Sequence, residues 1–158
     1  MIIERESVRA LLLTSTHELL LMRIRRPDNN EVFWIAPGGG IEQGEAREQA
    51  LKRELYEELG LQIFEIGSLV WRRQHTFNWD GRRICQREHY HIVNVDRFEP
   101  CMSDLVEAKV LDQFRWWRVS ELRHSEERIT PLSLAEIVAG YLTFGAPSSL
   151  PEWEVLVD

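Results

Sequence analysis

Three carboxylates at helical spacing constrain this chain more than any other feature. Glu54, Glu57 and Glu58 fall within Arg53-Glu54-Leu55-Tyr56-Glu57-Glu58-Leu59-Gly60-Leu61. Separations of three and four bring side chains together on one turn of a helix. Like charges so placed repel and weaken the helix unless a positive partner sits among them. A hard divalent cation with oxygen ligands, Mg²⁺ or Mn²⁺, suits that place. Just upstream, Gly38-Gly39-Gly40 offers backbone without side chains, which permits close approach and positive φ. Taken alone, a run of glutamates is more often a solvated helix face. The glycine loop, Glu45 and the terminating Gly60 at fixed offsets turn the balance towards a metal-dependent phosphate site.

The surrounding pattern gives an α/β chain. Leu51, Leu55 and Leu59 recur every fourth residue, so a helix over about 46–59 presents them to the core and the glutamates to an adjacent face. Gly60 fits a left-handed cap. Residues 7–13 read as a buried strand, and 19–25 as a second that ends in alternation. After the turn cluster Pro27-Asp28-Asn29-Asn30, a short strand spans 32–36. The β-rich runs 63–77 and 82–95 flank Asp80-Gly81, a strong hairpin signal. A further strand spans 114–119, with Ser120 as N-cap of a short helical segment. A last helix over 131–144 carries Pro131 in its first turn. The pattern predicts one domain over residues 1–145, then a tail over 146–158 with Trp153 as an anchor. Pattern alone gives a layered α/β architecture.

Length and composition bound the function. A chain of 158 residues suits one domain with a substantial core. No stretch reaches the roughly 18 to 20 apolar residues of a membrane span, and the N-terminus lacks a signal peptide's basic start and apolar run. The cytoplasm is the expected location. A net charge of −7 argues against a nucleic acid polymer bound through a broad basic surface, though not against a small anion arriving with Mg²⁺. Cys85 and Cys101 have no ligand spacing and are expected as reduced thiols.

Counting from Gly39, the residues fit G-x5-E-x7-R-E-U-x-E-E-x-G-U through Leu61, with U a bulky aliphatic. Every specified position is filled. This resembles the Nudix box, and the flanking Trp34-Ile35-Ala36-Pro37-Gly38-Gly39-Gly40, Phe114-Arg115-Trp116-Trp117 and Glu121-Leu122 extend the resemblance across most of the chain. It implies the Nudix α/β/α sandwich around a mixed sheet. It also implies hydrolysis of a nucleoside diphosphate linked to a further group, by water attack on phosphorus. Metal ligands would be Glu57 and Glu58, joined by Glu54 and the backbone carbonyl of Gly39. Glu54 holds the position from which some members draw a general base. Arg53 would pair with Glu45 and brace the loop, so Arg53, Glu54, Glu57 and Glu58 form the expected catalytic set. A nucleoside triphosphate or nucleotide-sugar is the default substrate, because the marks of NADH-directed, coenzyme A-directed and dinucleoside-polyphosphate members are missing. A catalytically silent ligand-binding regulator is the alternative, and the complete box weighs against it. Isoprenoid diphosphate isomerisation needs a cysteine near the glycine loop, where this sequence has none.

Outside the box the residues are less specific. Arg23 and Arg25 alternate onto one strand face leading to the loop, as phosphate contacts or as an ordinary basic edge. Glu88, Glu107 and Asp112 are candidates for one further acidic residue. Trp34, Phe77, Trp79 and Trp117 offer a stacking surface for a base, or core indoles. His75, His89 and His91 read as structural. The apolar stretch 150–157 is a candidate homodimer contact or a cover for its own core.

Overall fold

The computed structural model describes residues 1–101 and 111–158. Among these residues eight strands and three helices follow in this order: β1 (Ile2–Leu13), β2 (Glu18–Arg25), β3 (Val32–Ile35), β4 (Gly38–Gly40), α1 (Arg47–Leu59), β5 (Leu69–Trp79), β6 (Arg82–Asn94), β7 (Leu111–Arg118), α2 (Val119–Leu122), α3 (Leu134–Phe144) and β8 (Trp153–Val157). The strands form one mixed sheet ordered β3-β2-β1-β6-β5-β8, with β4 also on β1 and β7 also on β2. β1 runs parallel to β6, and β8 parallel to β5.

β1 explains why both sheet faces are covered. Its run Val8 to Leu13 is apolar at every position except Arg9, the pattern of a strand buried on two sides. Val8, Ala10 and Leu12 pack with Ala50, Leu51, Leu55 and Leu59 of α1. Leu11 and Leu13 turn the other way, into a core shared with Trp34, Trp117, Ile92 and the α3 residues Leu134, Ile137 and Val138. Helices therefore lie on opposite faces, and the molecule is an α/β/α sandwich. Asp80 and Gly81 both take positive φ, at 50° and 75°, as a two-residue hairpin turn demands.

Several bounds differ from the sequence pattern, each for a tertiary reason. β1 begins at Ile2 because β6 pairs with it along the whole length, from Ile2–Arg83 to Leu13–Asn94. β5 begins at Leu69, since Gly67 and Ser68 instead form loop hydrogen bonds to Ile92. α3 starts at Leu134 rather than Pro131. Arg128 and Thr130 exchange backbone bonds with Trp34 on β3, which keeps the chain extended there. The short helix α2 is capped at Arg118 rather than at Ser120. The segment expected as a tail supplies the edge strand β8, where Trp153 lies under the Arg72 guanidinium at 4.6 Å. No helix among the described residues is long and apolar enough to cross a membrane.

Candidate active site

The leucine stripe of α1 fixes the site. With Leu51, Leu55 and Leu59 against β1, the intervening Glu54 and Glu58 turn towards β4 and are buried, at 5% and 3% exposure. β4 lies antiparallel on β1, pairing Gly38 with Arg9 and Gly39 with Val8. Gly38 donates its N–H to Oε1 of Glu58 at 2.8 Å. A side chain at Gly38 is excluded, because a Cβ would stand 2.1 Å from the Val8 carbonyl and φ is +142°. At Gly39 a Cβ would stand 2.4 Å from the Glu54 carboxyl carbon, so bare backbone is what lets that carboxylate lie against the strand.

The positive partner among these carboxylates is Arg53. Its Nε and Nη2 each reach Glu45 at 2.9 Å, and Nη1 reaches Glu54 at 2.9 Å and Glu57 at 3.4 Å. Nη2 also donates to the Gly40 carbonyl at 2.9 Å, which ties loop to helix. The Arg53 hydrogen bonds hold the Glu45 carboxyl down at about 2. Glu54 behaves oppositely: burial pushes its pKa up despite Arg53. One oxygen of Glu54, Oε2, is buried with no hydrogen-bond partner. That orphaned oxygen, beside Glu58 and bare backbone, is the feature a hard cation would satisfy. Among the described residues no group of three or more His, Cys, Asp or Glu side chains stands close enough to hold a metal. Glu54 leans on Arg53 and Glu58 on the Gly38 amide, so the carboxylates are kept apart as like charges require.

Beside this cluster lies a cavity of about 310 Å³. It exists because the sheet parts. β1 and β2 share only the Leu13–Leu19 pairing, and beyond it β4 takes the edge of β1 while β3 and β7 follow β2. One wall carries Met22, Ile24, Phe33 and Ile35, and the other Arg5, Ser7, Arg9, Arg73, Gln86 and Glu88. Gly38 to Gly40 and Glu58 close the end nearest α1, while Phe77, Trp79, Arg26 and Arg128 also line the cavity. Five arginines thus face one cavity in a chain of net charge −7.

Arg23 and Arg25 do not line this cavity. Strand alternation gives it Met22 and Ile24 and sends the two arginines to the other face. There Arg23 lies 5.8 Å from the Trp34 ring, and Arg25 bonds the Asn30 carbonyl. Of the four aromatic candidates, Trp34 and Trp117 are core indoles packed edge to face at 5.3 Å, whereas Phe77 and Trp79 reach the cavity. His75 bonds Asp158, His89 faces the Ser7 carbonyl, and His91 faces the Gly67 carbonyl and Arg47.

Glu88 is buried and fully engaged. Oε2 accepts from Arg9 Nε at 3.0 Å, and Oε1 accepts from Arg73 Nε and Nη2 at 2.9 and 2.6 Å. Burial alone would raise its pKa, but the two guanidiniums hold it below the ordinary carboxylate value. Glu107 and the side chain of Asp112 lie outside the described residues. Both cysteines are free thiols, Cys85 buried and Cys101 exposed. Arg5, Arg9 and Arg73 were not singled out from sequence, although a charge at Arg9 inside an apolar strand was a signal available there.

The family profile of the NUDIX domain matches residues 4–136. The chain belongs to the NUDIX family. It is accordingly a Nudix hydrolase. An RNA pyrophosphohydrolase of Sphingopyxis alaskensis is 31% identical over 121 residues, covering 70% of this chain and 75% of its own. An RNA pyrophosphohydrolase of Vibrio atlanticus is 34% identical over 95 residues, and this chain spans only 54% of it. Among solved structures, a MutT protein from Methanosarcina mazei superposes with a TM-score of 0.63 at 18% identity, over 89% of this chain and 94% of that one. The dihydroneopterin triphosphate pyrophosphohydrolase of E. coli gives 0.65 at 13% identity, over 89% and 98%. At such identities these two structures speak for the fold.

Proposed function

We propose that the chain is a Mg²⁺- or Mn²⁺-dependent hydrolase of a nucleoside diphosphate derivative, a nucleoside triphosphate or nucleotide-sugar. The observation that carries this is the shared cavity: Glu58 and the glycine strand stand in the same space as Arg5, Arg9 and Arg128 and the aromatic rings. Glu54, Glu57, Glu58 and the Gly39 carbonyl would hold the cation. Bound there, the ion would polarise phosphate oxygens and lower the pKa of water. Glu54, whose carboxyl pKa is raised by burial, would accept the proton as the water oxygen bonds phosphorus and the bridging oxygen departs with its electron pair. The three glutamates titrate as a coupled set, so base and ligand roles belong to the cluster. Arg53 would brace the loop, and the cavity arginines would neutralise phosphate oxygens through paired hydrogen bonds.

Phe33, Phe77 and Trp79 offer planar surfaces for a base, with Phe33 and Trp79 edge to face at 6.4 Å. Along β6, Tyr90 stands opposite Arg9 and Ile84 opposite Phe77. Six strand residues span about 20 Å, which accommodates an extended nucleotide with its phosphates at the glycine end. Arg23 and Arg25, facing away, would act on substrate only indirectly. The relatives' name supports a second substrate, the 5′-triphosphate end of an RNA. A cytoplasmic location fits either substrate.

A screen for release of pyrophosphate, nucleoside monophosphate or sugar phosphate from nucleoside triphosphates, nucleotide-sugars and 5′-triphosphate RNA, with Mg²⁺ and with chelator, tests this. Release from a nucleotide that stops on chelation is expected. Tight nucleotide binding without release from any of them would instead make the chain a ligand-binding regulator.

A further inference from the structure

Among the described residues, Arg9–Glu88–Arg73 is a buried charged cluster outside the Nudix box, and hydrolysis as described gives its carboxylate no task. Glu88 and Arg73 are 3% and 4% exposed. Two guanidiniums share one carboxylate, an arrangement whose burial is expensive and needs every partner in place. What distinguishes it is where its outer arm ends. Arg9 Nη1 donates to the carbonyls of Ala36 and Gly38 at 3.2 and 3.3 Å, on either side of Pro37. The Gly38 N–H in turn meets Oε1 of Glu58 at 2.8 Å. On the inner side, Arg73 Nη1 donates to the Thr130 hydroxyl at 2.8 Å, which anchors the network to the segment before α3.

We propose that Glu88 is a positioning residue for the cation site: through Arg9 it fixes the Ala36–Gly38 backbone, and through the Gly38 amide it fixes the Glu58 carboxylate. This rests on the metal-site assignment above. Both Glu88 oxygens are taken by Arg9 and Arg73, so it would act through them rather than on the metal itself. Its carboxylate orients the Arg9 fork, and a neutral amide at the same position would leave Arg9 and Arg73 competing for one weaker acceptor. Arg9 would then be free to leave its present position, and the Ala36 and Gly38 carbonyls would lose its donor. Groups behind metal ligands commonly change affinity by roughly tenfold to a hundredfold when removed.

The test is Mn²⁺ titration of the substrate-free protein followed by electron paramagnetic resonance, well below the melting temperature, for wild type, Glu88→Gln and Arg9→Lys. A lysine keeps the charge beside Glu88 but cannot reach it and two carbonyls at once, so Arg9→Lys probes the link even where Glu88→Gln fails to fold. Both variants are expected to bind Mn²⁺ roughly tenfold or more weakly, with amide exchange at Gly38 accelerated. Wild-type Mn²⁺ affinity in the folded variants would overturn the proposal and leave Glu88 a merely structural residue. Weakened binding with unchanged Gly38 exchange would also overturn it, since the path through that amide would be wrong. A wild-type protein that binds no Mn²⁺ would bring down the metal-site assignment itself, a result distinct from either.

Discussion

Arg53 grips Glu45 with both prongs of its guanidinium, Nε to Oε2 and Nη2 to Oε1, each at 2.9 Å. The pair joins the loop before α1 to the middle of that helix. The same side chain also bonds Glu54 and the Gly40 carbonyl, so one cation holds the acidic cluster in register with β4.

Arg53→Ala should therefore cost both stability and rate. Loss of a partly buried ionic network of this kind costs about 1–3 kcal/mol, read as a lowered melting temperature, with kcat/KM down at least tenfold. Arg53→Lys should restore charge but not the bidentate geometry, and recover only part of either. An unchanged melting temperature for Arg53→Ala would remove the bracing role.

Acid should expose the same pair. The Glu45 pKa is depressed from 4.5 to about 2 by its Arg53 hydrogen bonds. A depressed folded-state pKa gives stability that is full above the unfolded value and lost as pH falls through the folded one. Wild type should lose melting temperature between pH 4.5 and about 2 more steeply than Glu45→Gln. Parallel curves for the two proteins would show that Glu45 contributes nothing in that window.

Glu58→Gln should keep the fold, because an amide oxygen still accepts the Gly38 N–H. Turnover should fall by orders of magnitude, since a neutral ligand neither neutralises nor firmly holds a hard cation. Circular dichroism and release of nucleoside monophosphate together check this, and near-full activity would reject the metal-ligand assignment.

The cavity side of β5 and the opposite face of β2 give a paired comparison. Phe77→Ala and Trp79→Ala remove rings that line the cavity and should raise KM for a nucleotide several-fold, a stacked base contributing about 1–3 kcal/mol. Arg23→Ala and Arg25→Ala alter the opposite face and should leave KM within about twofold. The reverse ranking in steady-state kinetics would mean that substrate enters from the other side of the sheet.

Helix α1, its leucine stripe, the Gly60 cap and the Asp80-Gly81 turn were legible because each depends on neighbours within four residues. The pairing of Arg53 with Glu45 came from the resemblance, and its extra bonds to Glu54 and Gly40 came only with the fold. Arg23 and Arg25 show the limit. Their alternation is visible in the sequence, but which face meets the cavity depends on where β1 and β2 part. Ile63 to Ser68 reads as strand by composition, yet Gly67 packs on the Ile92 carbonyl and the strand begins later. The edge strand β8 was invisible because its partner β5 lies some eighty residues away.

Local spacing by itself determined the acidic helix, the glycine-rich stretch ahead of it and hence the family, since a period of 3.6 residues sets which side chains share a turn. Pairing with β1 made that stretch a strand rather than the loop it resembles. The tertiary structure alone decided the cavity. Arg5 and Arg9 from β1, Arg73 from β5 and Arg128 from the segment before α3 meet through long-range strand pairing, and no local pattern records that register. Burial then forced Glu88 to be shared by two guanidiniums, because a buried charge is tolerated only when paired.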